Sequence, residues 1–122
     1  MSEKLEFESN RASETEIAEH LVRCDADFLP PLSGRVEIDD YARKIFAQAT
    51  RFEAWSGGKL IGLVAMYCND QERRIVYVTS VSVLQEWTGK GIAARLLKQC
   101  IGHAEELGMR QVSLEVASDN KP

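Results

Sequence analysis

The chain has 122 residues and a formal net charge of −4, and it is 44% hydrophobic and 28% charged. That length holds one hydrophobic core rather than two, so a single domain over residues 1–122 is expected, with a globular composition. No apolar run reaches the length of a membrane span, the start Met1-Ser-Glu-Lys-Leu-Glu6 is too charged for a signal peptide, and the acidic balance argues against nucleic acid as the main partner. A cytoplasmic protein without membrane contact is the expectation. Cys24, Cys68 and Cys100 are an odd number without metal-like spacing, so they read as reduced, mostly packed thiols and no metal is expected.

In chain order, Leu5-Glu-Phe-Glu8 alternates apolar and charged residues and predicts a first strand with one wet face. Ser13 and Glu16 have the spacing of a capping box. The helix that follows carries Ile17, Ala18, Leu21, Val22 and Cys24 towards the core, with His20 off the stripe and read as a solvated surface histidine. Pro30-Pro31 and Gly34 enforce a loop. Asp39 or Asp40 then caps a second helix running through Tyr41, Ile45 and Phe46 to about Ala49.

Arg51–Ser56 and Lys59–Tyr67 read as strands joined at Gly57-Gly58, a hairpin signal because both glycines tolerate positive φ. Glu53 on the first of these strands reads as solvated. Asn69–Arg74 is a polar turn. Tyr77–Leu84 is a strand rich in β-branched residues: Val78, Thr79, Val81 and Val83. A long helix follows, with Ile92, Leu96, Leu97, Cys100, Ile101, Ala104 and Leu107 on one apolar stripe, ending at Gly108. Gln111–Val116 is the last strand.

Between that strand and long helix lies Thr88-Gly89-Lys90-Gly91-Ile92-Ala93. Glycines let the backbone approach a ligand closely, and a helix start offers unpaired N–H groups at the positive end of its dipole. Together these make an anion site, most often for phosphate. The phosphate loop of nucleotide hydrolases fails here, because Lys90 is followed by Gly91 and the required upstream glycine is missing. The dinucleotide fingerprint fits Gly89, Gly91 and Ala94, with Glu115 downstream, but that turn normally follows a first strand.

The run Val81-Ser-Val-Leu-Gln-Glu-Trp-Thr-Gly-Lys-Gly-Ile-Ala-Ala-Arg-Leu-Leu97 resembles the GNAT acetyltransferases, whose strand runs into P-E-Y-x-G-K-G-I-G and whose cofactor turn is [QR]-x-x-G-x-[GA]. Gln85 stands where proline is common, Trp87 where tyrosine is common, and Thr88 where glutamine or arginine is usual. The order strand, helix, helix, three-strand meander, helix, strand also resembles that family over nearly the whole chain. The resemblance implies an α+β fold of α/β/α layers, with helices on both faces of a mixed, mostly antiparallel sheet. It also implies an acetyl-CoA-dependent N-acetyltransferase acting on a small-molecule amine.

By the same resemblance, Val81, Ser82 and Val83 would pair with the pantetheine arm. The amides of Thr88, Gly89, Lys90, Gly91, Ile92 and Ala93 would cradle the pyrophosphate, and Asn120 would contact the cofactor. Lys90 adds a charge there or points to solvent. A hydroxyl at Thr88 costs a charged hydrogen bond worth about 1.5–3 kcal/mol, which weakens binding without abolishing it. Phe28, Arg35 and Tyr41 are candidates for acceptor contact, against the alternative of a packed loop with a surface arginine. The backbone N–H near Val83 is the implied oxyanion donor, whereas no catalytic acid or base can be assigned.

The family usually continues with a fourth helix and a last hairpin, and the chain stops at Pro122. A shortened chain, an ordered fragment and a natural truncation are all open. An exposed fifth strand is then expected to favour self-association into a homo-oligomer. A non-catalytic CoA-binding or interaction module is the alternative reading, and a dinucleotide binder is a third.

Overall fold

The computed structural model describes residues 5–25, 32–34, 36–70 and 72–114. These form three α-helices and one five-stranded sheet with its strands in sequence order. The strands are β1 (Glu6–Ser9), β2 (Thr50–Ser56), β3 (Lys59–Asp70), β4 (Ile75–Val83) and β5 (Gln111–Leu114). The first three pairings are antiparallel and β4–β5 is parallel. The helices are α1 (Glu14–Cys24), α2 (Ile38–Gln48) and α3 (Ile92–Glu106). The mixed, mostly antiparallel sheet expected from the sequence is therefore present.

Local signals set the element ends. Ser13 Oγ accepts from the Glu16 N–H at 3.1 Å and Glu16 reaches back to the Ser13 N–H at 2.9 Å, completing the capping box of α1. Gly57 and Gly58 have φ of 58° and 77°, so the β2–β3 hairpin turns where the dipeptide allows it. The α2 N-cap is Glu37 rather than Asp39 or Asp40; both aspartates lie in the first turn, where their charge suits the helix dipole. β3 runs to Asp70 and β4 starts at Ile75, because a register shift after Tyr67 carries the pairing past the expected turn at Asn69.

The two faces of the sheet hold different helices. A Cβ placed on Gly62 would lie 3.0 Å from Ile92 and 3.4 Å from Leu96, so α3 rests directly on the β3 backbone. On the opposite face, α1 reaches β4 through the hydrogen bond between its His20 and Ser82. Ile17, Leu21, Leu63, Val64 and Met66 are all buried in the core between these layers. Val22, Ile101 and Leu107, expected inside by helical periodicity, are exposed: their helices bury narrower stripes than the pattern predicts. Cys24 and Cys100 are buried thiols outside any disulfide, and burial pushes Cys100 up to about 11. No described helix is long and apolar enough to cross a membrane.

Candidate active site

β4 supplies one wall of the site. Its pairing with β5 extends from Ile75 to Val78 among the described residues, while its pairing with β3 runs on to Val83. Among the described residues, the far half of β4 therefore pairs only with β3, and its β5 side forms one wall of the site. A register shift at Ala65/Met66 places Thr79 as an extra residue in the ladder. The chain leaves β4 at Leu84, whose N–H bonds Ile61 O at 2.9 Å, and makes one 3-10 turn at Gln85–Trp87.

The glycine turn forms the second wall. Gly89 and Gly91 have φ of 79° and 76°, in the left-handed region that disfavours a side chain. A Cβ on either glycine would meet nothing within 4 Å, so the space over the backbone is open. Gly91 is the N-cap of α3 and no side chain caps that helix end. The first-turn amides thus lack an internal partner and point, with the positive end of the dipole, away from the helix.

The two walls enclose a cleft of about 590 Å³. Val81, Ser82, Val83, Thr88, Gly89, Gly91, Ile92 and Ala93 line it, as do Gln85, Trp87 and Ala94. The first eight are among the residues expected from the sequence. Gln85, Trp87 and Ala94 were not among the expected site residues, although Gln85 and Trp87 lie in the motif and Ala94 in the glycine fingerprint. Lys90 is exposed and does not line the cleft. Asn120, Glu115, Phe28 and Arg35 lie outside the described residues. Thr88 Oγ1 donates to Gln85 O at 2.7 Å, so its hydroxyl hydrogen serves the turn itself.

Tyr41 is the remaining expected acceptor residue. Its hydroxyl donates to Thr79 O at 2.6 Å and lies 2.9 Å from Thr79 Oγ1. It therefore ties α2 to the irregular part of β4, beside the cleft wall.

Two residues expected in solvent are buried. His20 is 2% exposed, with Nδ1 3.1 Å from Leu60 O and Nε2 2.8 Å from Ser82 Oγ. Burial lowers its pKa from 6.5 to about 4, outweighing the hydrogen bonds to Leu60 and Ser82. Glu53 is 0% exposed and pairs with Arg51 at 3.0 Å. Sequence reasoning missed His20 because its partners are distant in the chain, and Glu53 because β2 is buried on both faces. The His20–Ser82 bond makes α1 part of the site's support.

A family model, the Acetyltransferase (GNAT) family, matches residues 15–122. No curated protein matches the chain. Several solved structures share the fold. The ribosomal-protein-alanine N-acetyltransferase of Brucella melitensis biovar Abortus 2308 superposes with a TM-score of 0.69 at 24% identity, covering 98% of this chain and 83% of that one. An aminoglycoside acetyltransferase, meta-AAC0020, from an uncultured soil metagenomic sample, solved in complex with sisomicin, gives 0.67 at 20% identity, covering 95% and 78%. A predicted acetyltransferase of Clostridium acetobutylicum, solved with acetyl-CoA, gives 0.68 at 19% identity, covering 95% and 82%. With the family match spanning most of its length and the sheet, glycine turn and cleft in place, this chain belongs to the GNAT family of acetyltransferases.

Proposed function

We propose that the protein transfers the acetyl group of acetyl-CoA to the amine of a small-molecule acceptor by direct attack. The observation that carries this reading is one cleft lined by both the far half of β4 and the start of α3, a helix end that no side chain caps. Its volume falls in the range of small-molecule sites. A glycine turn open to ligand, at a helix N-terminus, suits a pyrophosphate. The adjoining strand edge suits an extended amide-bearing arm, which pairs with backbone as another strand does.

In this reading the amides from Thr88 to Ala93 hold the phosphates and Val81–Val83 hold the pantetheine. The amine lone pair attacks the thioester carbonyl, the C–S bond breaks, the nitrogen loses a proton and the thiolate gains one. A backbone N–H near Val83 stabilises the oxyanion, and the cleft supplies positioning. The same reading keeps Phe28, Arg35 and Tyr41 as the candidates for acceptor contact and Asn120 as the candidate for cofactor contact. The acceptor is a small amine rather than a polyanion, in keeping with the net charge of −4.

The melting temperature with acetyl-CoA, and with NADH as control, tests the cofactor. At a hundred times its dissociation constant a ligand adds about 2.7 kcal/mol, a shift on the order of ten degrees for a small domain. Thiol release from acetyl-CoA in the presence of an amine panel then tests transfer. A shift with acetyl-CoA alone and amine-dependent thiol release are expected. Binding without release under every amine would favour a non-catalytic CoA-binding module, and a shift with NADH alone would overturn the cofactor assignment.

A further inference from the structure

The two ring nitrogens of His20 face groups of different chemistry, and those groups fix the tautomer. Nδ1 lies 3.1 Å from the Leu60 carbonyl oxygen. A carbonyl only accepts, so Nδ1 carries the hydrogen. Burial keeps the ring neutral near pH 7. In a neutral imidazole with Nδ1–H, Nε2 offers only a lone pair. Ser82 Oγ lies 2.8 Å from that lone pair and donates to it. Cys24 Sγ, 3.7 Å from the same nitrogen, is the weaker competitor.

The consequence falls on Ser82. A serine hydroxyl has one hydrogen, and His20 takes it. What Oγ retains is acceptor capacity. Ser82 is 8% exposed and stands in the cleft wall between Val81 and Val83. A ligand whose phosphates sit at Gly89–Gly91 must lay its remaining length along this wall. Its amide-bearing arm then passes Ser82.

We propose that His20 is a positioning residue that fixes Ser82 as a hydrogen-bond acceptor in the cleft, where it selects an amide N–H of the pantetheine arm. The inference rests on the acetyl-CoA reading above and adds a side-chain contact to it. A hydroxyl free to rotate would tolerate donor and acceptor alike; one bound to His20 discriminates between them.

The test is calorimetric titration of the full chain with acetyl-CoA and with two analogues, each carrying ester oxygen in place of one pantetheine amide N–H. One analogue is expected to bind the native protein about three- to tenfold more weakly than acetyl-CoA, the usual range for a neutral hydrogen bond. That deficit disappears in Ser82→Ala, persists in Ser82→Thr and shrinks in His20→Phe, where the hydroxyl is free to turn. Comparing each variant across both ligands cancels the weaker carbonyl of the ester and any general loss of stability. If His20→Phe does not fold, the two Ser82 variants decide. Equal binding of all three ligands by the native protein, or a deficit that survives in Ser82→Ala, would overturn the proposal. Failure of acetyl-CoA itself to bind would instead bring down the cofactor reading on which it rests.

Discussion

Arg51 Nε lies 3.0 Å from Glu53 Oε2, and the two side chains are 4% and 0% exposed. The pair gathers the start of α1 onto β2. Glu53 also accepts from Trp55 Nε1 at 3.0 Å and from the N–H groups of Arg11 and Ala12 at 3.0 and 3.1 Å, while Arg51 donates to Ala12 O at 3.0 Å. Removing one member leaves the other charge buried and uncompensated, which costs about 3–5 kcal/mol. Glu53→Ala is therefore expected to lose that much in urea unfolding. Glu53→Gln, which keeps the shape and some of the hydrogen bonds, should lose less. An alanine variant within 1 kcal/mol of the native protein would show the cluster to be dispensable.

The cluster also marks where sequence reading succeeds and where it stops. The capping box at Ser13 and Glu16, the Gly57-Gly58 hairpin and the Gly89–Gly91 turn were legible because each is a local device whose partners lie within a few residues. The cleft followed, since strand, turn and helix are contiguous in the chain. Glu53 and His20 were not legible. Residues 51–55 are all buried, so both faces of β2 are covered and an acidic residue there gives no clue to solvent. His20 finds its partners 40 and 62 residues away, at Leu60 and Ser82. Val22 failed for a related reason. Helical periodicity supplies a stripe, but its width depends on what packs against it.

Gly62 sets the distance between the sheet and α3. An added Cβ would lie 3.0 Å from Ile92 Cγ2 and 3.3 Å from Ala54 Cβ. Gly62→Ala is expected to cost about 1–3 kcal/mol, as overpacking generally does. Because Ile92 both opens α3 and lines the cleft, acetyl-CoA should bind more weakly as well. Ile92→Ala removes the opposing methyl. The double variant should then be less destabilised than the sum of the two singles, which a cycle of urea midpoints measures. Strict additivity would show that α3 accommodates the methyl without shifting.

Gly91 offers a cleaner separation of backbone and contact. Its φ of 76° disfavours any other residue, yet a Cβ there meets nothing within 4 Å. Gly91→Ala should therefore cost only the left-handed backbone penalty, about 1–2 kcal/mol. The same methyl would stand over the turn that the phosphates are proposed to occupy. Affinity for acetyl-CoA is expected to fall more than stability does, by at least tenfold in titration. Loss of stability with unchanged affinity would move the phosphates away from Gly91.

His20 makes the fold sensitive to mild acid. Its folded pKa of about 4 lies below the ordinary 6.5, with burial as the main cause and the Arg23 charge adding to it. Above pH 6.5 both folded and unfolded chains hold it neutral, and its packing contributes in full. Between pH 6.5 and 4 the unfolded chain takes up a proton that the folded one refuses, so stability falls as the pH drops. Below pH 4 the whole contribution, about 3 kcal/mol, is lost. The groups around it are Ser82 and the Leu60 carbonyl from the sheet, Cys24 and Arg23 on its own helix, and Glu16, Glu19 and Lys59 lining the small pocket it borders. Those neighbouring charged groups are common to the native protein and the His20→Phe variant. The useful quantity is thus the difference between the native protein and His20→Phe, taken from urea unfolding at pH 7.5 and pH 4.5. The native chain should lose more stability than the variant over that interval. Parallel losses would mean that His20 takes up its proton in the folded state near the ordinary pH, and that its bond to Leu60 does not depend on a neutral ring.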